Sequence, residues 1–137
     1  MLLKFGVQGG GGKSREKIQP FHIQLNKIFK QTEADYFNTI GSFGIYYRVN
    51  GPIRNYGNEG PDKLEYLKKQ KELGIDFVVS EESWSTKSEE ELKIYFTNSV
   101  QQCFYTLLKA AEDKGFIKDS EGLVSEFEKK LSIFQNG

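Results

Sequence analysis

The first half of the chain alternates between apolar and polar residues with a period of two, which is typical of β-strands. Residues 2–8 form an apolar run, and three further runs occupy residues 21–25, 35–40 and 43–49. A shift in the phase of the alternation at Ile28 suggests a bulge, and Gly41 and Ser42 form a short turn signal before the last run. The pattern predicts four consecutive strands in an antiparallel meander.

The pattern changes after residue 60, where apolar residues begin to follow helical spacing. Asp62 is suited to cap a helix that carries Leu64, Leu67 and Leu73 on one side, and Gly74 is suited to end it. Residues 75–80 form a short, almost wholly apolar run, which predicts a strand buried on both faces.

A long helix is predicted over residues 88–114. Ser88 and Glu91 have the spacing of a capping box, and apolar residues recur every three or four positions until Gly115. A shorter apolar stripe predicts a last helix over residues 121–134. Because the long helix would extend about 40 Å, it is long enough to overhang a small sheet, and a homodimer through its free end is one expectation.

These elements define the expected fold class. We expect a single α+β domain over residues 1–137, in which four to five antiparallel strands are packed on one face by the long helix and one or two shorter helices. The length of 137 residues is common for one domain. The contents of 37% hydrophobic and 28% charged residues are typical of soluble globular proteins.

Charge and targeting signals narrow the class of partner. The 19 basic and 19 acidic residues give no net charge, which argues against a nucleic-acid partner. No apolar run approaches the roughly 20 residues of a membrane span. The chain start lacks a basic lead-in and a cleavage site, and its one cysteine cannot form an intrachain disulfide. A cytoplasmic protein without a membrane partner is therefore expected.

One segment resembles part of a phosphate-binding loop. Residues 9–12 are four glycines followed by Lys13 and Ser14, but position 7, where the loop requires glycine, is Val7. Pro20 and the alternating residues after it predict a strand where the phosphate loop requires a helix. The glycine run is therefore interpreted as a flexible connection between strands.

The residue types needed for catalysis are sparse. His22 is the only histidine, which removes histidine-based metal clusters, and its place in an alternating run predicts exposure to solvent. Cys103 lies in the apolar stripe of the long helix, where a thiol most often acts as a small buried hydrophobe. A nucleophilic Cys103 with His22 stays an alternative without support. We expect no enzyme activity, metal or cofactor.

Two segments of the second half resemble small bacterial immunity proteins that accompany polymorphic toxins. The segments are residues 74–84, with the sequence GIDFVVSEESW, and residues 88–100, with the sequence SEEELKIYFTNSV. In such proteins a meander precedes a short strand, an acidic segment with an aromatic residue, and a serine-capped helix. The resemblance implies a cytoplasmic toxin inhibitor that acts in bacterial competition. Such a protein binds a cognate protein toxin and blocks its active site or a nearby surface.

Two turns are the expected partner surface. One contains Tyr56 and Glu59 and precedes the predicted helix capped by Asp62; the other contains Glu81, Glu82 and Trp84 and follows the predicted central strand. Tryptophan is favoured at interface hot spots, and carboxylates attract a basic partner. The alternative for Trp84 is that it folds back into the core. The alternative function is a small-ligand or regulatory binding domain without catalysis.

Overall fold

The computed structural model describes residues 2–9, 12–32, 34–49 and 59–137. The four strands are β1 (Leu3–Gly9), β2 (Ser42–Val49), β3 (Gly60–Leu67) and β4 (Glu72–Val79). The four helices are α1 (Gly12–Phe29), α2 (Glu81–Ser85), α3 (Glu89–Asp113) and α4 (Ser120–Asn136). The fold is α+β, as predicted.

The sheet is mixed, so the predicted antiparallel meander is wrong. Its strand order is β1-β2-β4-β3. Strands β1 and β4 both run parallel to β2, and only β3 is antiparallel to its neighbour β4. Parallel neighbours need a crossover connection, and α1 lies in the connection between β1 and β2.

The predicted strand over residues 21–25 is part of helix α1. Four residues at helical spacing form the buried side of α1: Ile18, Phe21, Leu25 and Phe29. Ile23, which completed the apparent alternation, is 56% exposed. Pro20 lies inside the helix. The period-two pattern therefore arose because one exposed isoleucine stands between two buried positions.

Two further elements differ from the prediction. The segment predicted as a helix capped by Asp62 is the hairpin of β3 and β4, joined by a turn at residues 68–71. Within it, Leu64 and Tyr66 pack against the core cluster. Residues 35–40 contribute one isolated bridge, between Phe37 and Ile117, in place of a strand.

The remaining elements agree with the sequence patterns. Strand β2 and the central strand β4 are confirmed, with buried residues at every second position that face the helices. The prediction that the central strand is buried on both faces is wrong for its second half, where Asp76 and Val78 are half-buried. Helix α3 begins with the predicted capping box of Ser88 and Glu91. Helix α4 covers the predicted last helix.

Helices α1 and α3 pack on a single face of the sheet, and α4 packs against both of these helices. Aromatic contacts join that face to them: Phe5 to Phe29 of α1, and Phe43 and Tyr47 to α3. The buried stripe of α3 extends from Leu92 to Ala111. The homodimer through the end of this helix stays a prediction. Among the described residues, no helix has the length and apolar character needed to cross a bilayer.

Candidate functional site

Three of the predicted partner-binding residues lie together where β4 ends. Ser80 follows β4 and caps α2, since its hydroxyl accepts a hydrogen bond from the Ser83 amide at 3.0 Å. Glu81 and Glu82 form the first turn of α2, where carboxylates interact favourably with the helix dipole. Glu59 directly precedes β3. We call Glu59, Glu81 and Glu82 the acidic corner.

Within the acidic corner, Glu59 connects three elements of the fold by hydrogen bonds. Its Oε1 atom accepts from the amide of Ser80 at 3.0 Å and from the Ser80 hydroxyl at 2.9 Å. Its Oε2 atom accepts from the hydroxyls of Ser83 at 3.3 Å and Tyr95 at 3.4 Å. The carboxylate therefore connects the start of β3 with α2 and α3.

Trp84 is fully buried, so the structure places it in the core, the second of the two alternatives. Its ring centroid lies 5.6 Å from that of Phe96, 5.8 Å from that of Tyr47 and 6.5 Å from that of Tyr95. A five-residue helix has little stability of its own. Trp84 therefore attaches α2 to the core and holds Glu81 and Glu82 in place.

Two lysines near the acidic corner bind backbone oxygens. Lys17 of α1 donates to the carbonyl of Ser85 at 2.9 Å. Lys87 donates to the carbonyl of Ser83 at 2.9 Å and lies 5.1 Å above the ring centre of Tyr95. Glu82 is exposed and Glu81 half-buried. Glu82 thus lies at the surface of a helix that is attached to the core, and Glu81 is partly covered.

Burial and charge act together on Tyr95. Desolvation raises the pKa of its phenol well above the ordinary value, and the Glu59 carboxylate raises it further. The phenol stays neutral at physiological pH, and it serves as a donor to Glu59 rather than as a base.

Ser80, Ser83 and Tyr95 were not predicted as parts of the site. A serine that directly follows an apolar strand and precedes two glutamates is an N-cap signature, so Ser80 could have been found from the sequence. The contact between Tyr95 and Glu59 spans 36 residues, and no local pattern indicates it. Tyr56 lies outside the described residues.

The sheet face away from the helices holds a second arrangement that was not predicted. Tyr46 lies across the glycines of three adjacent strands, Gly6, Gly44 and Gly74. Its hydroxyl donates to the carboxylate of Glu72, which is only 3% exposed. Added Cβ atoms at Gly6 and Gly44 would each lie 2.7 Å from the tyrosine ring. These glycines therefore leave the space in which the ring lies flat.

Beside Tyr46, Arg48 and Asp76 form an ion pair with a distance of 3.4 Å between Nε and Oδ2. Burial raises the pKa of Asp76, and the Arg48 charge partly offsets this effect. The pair and Tyr46 line an open groove of about 210 Å³.

The other sequence candidates form no catalytic arrangement among the described residues. Cys103 is fully buried, and desolvation raises the pKa of its thiol to about 12. His22 lies on α1, where its ring contacts the Phe5 carbonyl and Asn26. No group of three or more potential metal-binding side chains occurs in the described part of the chain.

One premise about the glycine run is wrong. A helix does follow it, since α1 begins at Gly12. Val7 still occupies the position where the phosphate loop requires glycine. A helix N-terminus alone does not define a phosphate site.

Comparison with known proteins identifies the family. The model of the family described as immunity protein 44 matches residues 1–132. Neither a curated protein nor a solved structure matches the chain. The family match covers both the sheet and the helical layer, together with the acidic corner. The chain therefore belongs to the immunity protein 44 family.

Proposed function

We propose that this protein neutralises a cognate toxin in the cytoplasm by binding it and covering its active site or a nearby surface. Membership of an immunity protein family supports toxin neutralisation in general. Immunity proteins normally act without catalysis, and the high thiol pKa of the buried Cys103 accords with this. Inhibition then depends on the affinity and the position of the protein interface.

The acidic corner is the proposed contact surface. The observation that carries this proposal is the attachment of α2, which bears Glu81 and Glu82, to the core and to Glu59. Trp84 holds the helix from the core, and Glu59 binds its capping residue Ser80. A surface that is ordered before binding loses less conformational entropy on association.

The charge of this surface indicates the kind of toxin that fits it. Residues 81–91 contain five glutamates and one lysine, and that lysine, Lys87, already donates to Ser83. A basic toxin surface would be attracted during the encounter, which raises the association rate at low salt. A nuclease toxin, whose substrate is a polyanion, has this kind of surface.

In this proposal Trp84 supports the interface from within the core. Because its side chain is fully buried, it exposes no surface of its own in the free chain. The contacts with the toxin are made by Glu81, Glu82 and Glu59. The contribution of Tyr56 stays a prediction from the sequence.

The test is the association rate with the toxin domain encoded beside the gene for this chain. We expect Glu81→Lys/Glu82→Lys to slow association about tenfold or more at low salt, with a smaller difference at about 0.5 M salt. The matched control is Asp113→Lys/Glu121→Lys, which makes the same charge change at exposed positions of α3 and α4. The control rate should stay within about twofold of the unmodified rate.

Co-expression with the same toxin domain gives the functional readout. The unmodified chain and the control should protect the host, and the charge-reversed variant should protect it less. Equal association rates for the variant and the control at low ionic strength would place the interface elsewhere. Binding without loss of toxin activity would refute occlusion as the mechanism.

A further inference from the structure

Strand β1 lies at one edge of the sheet, yet its outer side is hydrogen-bonded. The partners on that side belong to α1 and are mostly side chains. An unpaired strand edge can pair with a strand of another molecule, so proteins usually protect such edges. The arrangement around Phe5, in the middle of β1, shows how this edge is covered.

Asn26 binds Phe5 as a neighbouring strand would. The Phe5 amide donates to Asn26 Oδ1 at 3.0 Å, and Asn26 Nδ2 donates to the Phe5 carbonyl at 3.0 Å. The side-chain amide thereby supplies one donor and one acceptor to the same residue. His22 Nε2 lies 2.6 Å from the same carbonyl oxygen and 3.1 Å from Asn26 Nδ2.

The bonds continue along the edge in both directions. Arg15 donates from Nη2 to the Val7 carbonyl at 2.8 Å. The Leu2 amide donates to the Phe29 carbonyl at 3.2 Å. A groove of about 300 Å³ lies beside Val7, Arg15 and His22. Space is therefore available next to the Val7 half of the edge, whereas Asn26 and His22 occupy the Phe5 half.

The opposite edge, β3, is protected by different features. It contains Pro61 and an exposed Lys63, and its pairing with β4 is irregular between Pro61 and Leu64. Proline, lysine and bulges are common means of preventing strand addition. Strand β1 also contains an exposed lysine, Lys4, but it has no proline and is regular throughout its pairing with β2, so the side chains of α1 provide the further protection of this edge.

We infer that Asn26 and His22 form a clasp on the β1 edge. This clasp prevents the edge from pairing with the β1 strand of a second copy of this chain. Two identical edges related by a two-fold axis pair antiparallel. With the axis at Phe5, the amide and carbonyl now bound by Asn26 would pair with Phe5 of the other copy. The clasp is separate from the acidic corner and does not depend on the proposed function.

The experiment opens the clasp with Asn26→Ala/His22→Ala, which removes both side chains and leaves a good helix former at each position. The control is Glu16→Ala/Lys27→Ala, which truncates two exposed residues of the same helix. A fluorescent peptide with the sequence of residues 2–9 serves as the strand probe. Light scattering measures the mass across a range of protein concentrations.

We expect the clasp variant to bind the peptide at least tenfold more tightly than the control does. Its mass should rise with concentration from 15.7 kDa towards twice that value, while the control should stay monomeric. A folded clasp variant that stays monomeric and does not bind the peptide would overturn the inference.

Amide hydrogen exchange in the unmodified protein tests the clasp even if the double variant does not fold. The Phe5 amide should exchange as slowly as the amides of β1 that bond to β2, because Asn26 binds it. A Phe5 amide that exchanges as fast as an open edge would show that the clasp does not form.

Discussion

Trp84 shows how a single residue holds the candidate site together. Its indole packs against Tyr47, Tyr95 and Phe96 and is fully buried, so truncation leaves a large cavity. We expect Trp84→Ala to lower the free energy of unfolding by about 3–5 kcal/mol. Urea denaturation followed by circular dichroism measures this loss. Ile94→Ala, at a site that is 62% exposed, should change the value by about 0.5 kcal/mol or less.

Gly44 provides a second test at the residue scale. A Cβ atom there would lie 2.7 Å from both the Tyr46 ring and the Glu72 carboxyl carbon. We expect Gly44→Ala to destabilise the fold by about 1–3 kcal/mol because these groups must move. Gly41→Ala is the control, since its nearest neighbour would lie at 3.8 Å. Similar unfolding free energies for the two variants would mean that the Tyr46 ring does not require a glycine at position 44.

At the scale of elements, the capping box gives α3 a defined start. The Glu91 amide donates to the Ser88 hydroxyl at 3.1 Å, and the Ser88 amide donates to Glu91 Oε1 at 3.0 Å. We expect Ser88→Ala to cost about 0.5–2 kcal/mol of stability. Thermal denaturation measures the change, and Ser88→Thr, which keeps a hydroxyl, should recover most of it.

The same element has a defined pH dependence. Hydrogen bonds from Ser88 lower the pKa of Glu91 below its ordinary value of 4.5. The folded state therefore favours the carboxylate, so its stabilising contribution is present above pH 4.5 and is lost as the pH falls through the lowered pKa. The stability advantage over Glu91→Gln should be seen at pH 7 and shrink below pH 4. An advantage that does not change with pH would contradict the role of the charge.

The elements also show which sequence patterns were sufficient. Helix α3 has two independent signals, a capping box and a long apolar stripe, and both are found in the structure. In α1 the apolar residues satisfy two periods at once, because Phe21 and Leu25 fit a strand as well as a helix. The spacing of Ile18, Phe21, Leu25 and Phe29 was the deciding signal, and Pro20 obscured it.

At the scale of the molecule, the error in α1 produced the error in topology. A strand at residues 21–25 would have allowed short antiparallel connections, whereas a helix there allows β1 and β2 to run parallel. Which side chains meet on each face of the sheet depends on the pairing register of the strands. No single segment of the sequence specifies this register. The acidic corner was predicted in part, because Glu81 and Glu82 are local to one turn. The role of Glu59 depends on contacts 21 to 36 residues away.

The aromatic core connects elements that are far apart in the sequence, which predicts how the chain unfolds. One series of ring contacts leads from Trp84 through Phe96 and Phe21 to Phe134. All the buried hydrophobic residues described form one cluster, so the predicted single domain should unfold in one cooperative step. Trp84 is the only tryptophan, and its fluorescence reports on the site end of this core.

Far-UV circular dichroism reports mainly on the helices. The three long helices are α1, α3 and α4. The urea midpoints from fluorescence and circular dichroism should therefore coincide. A fluorescence transition at lower urea would show that α2 and the acidic corner unfold before the rest. In that case α2 and the acidic corner would be less stable than the rest of the fold, and the entropic advantage proposed for this surface would be smaller.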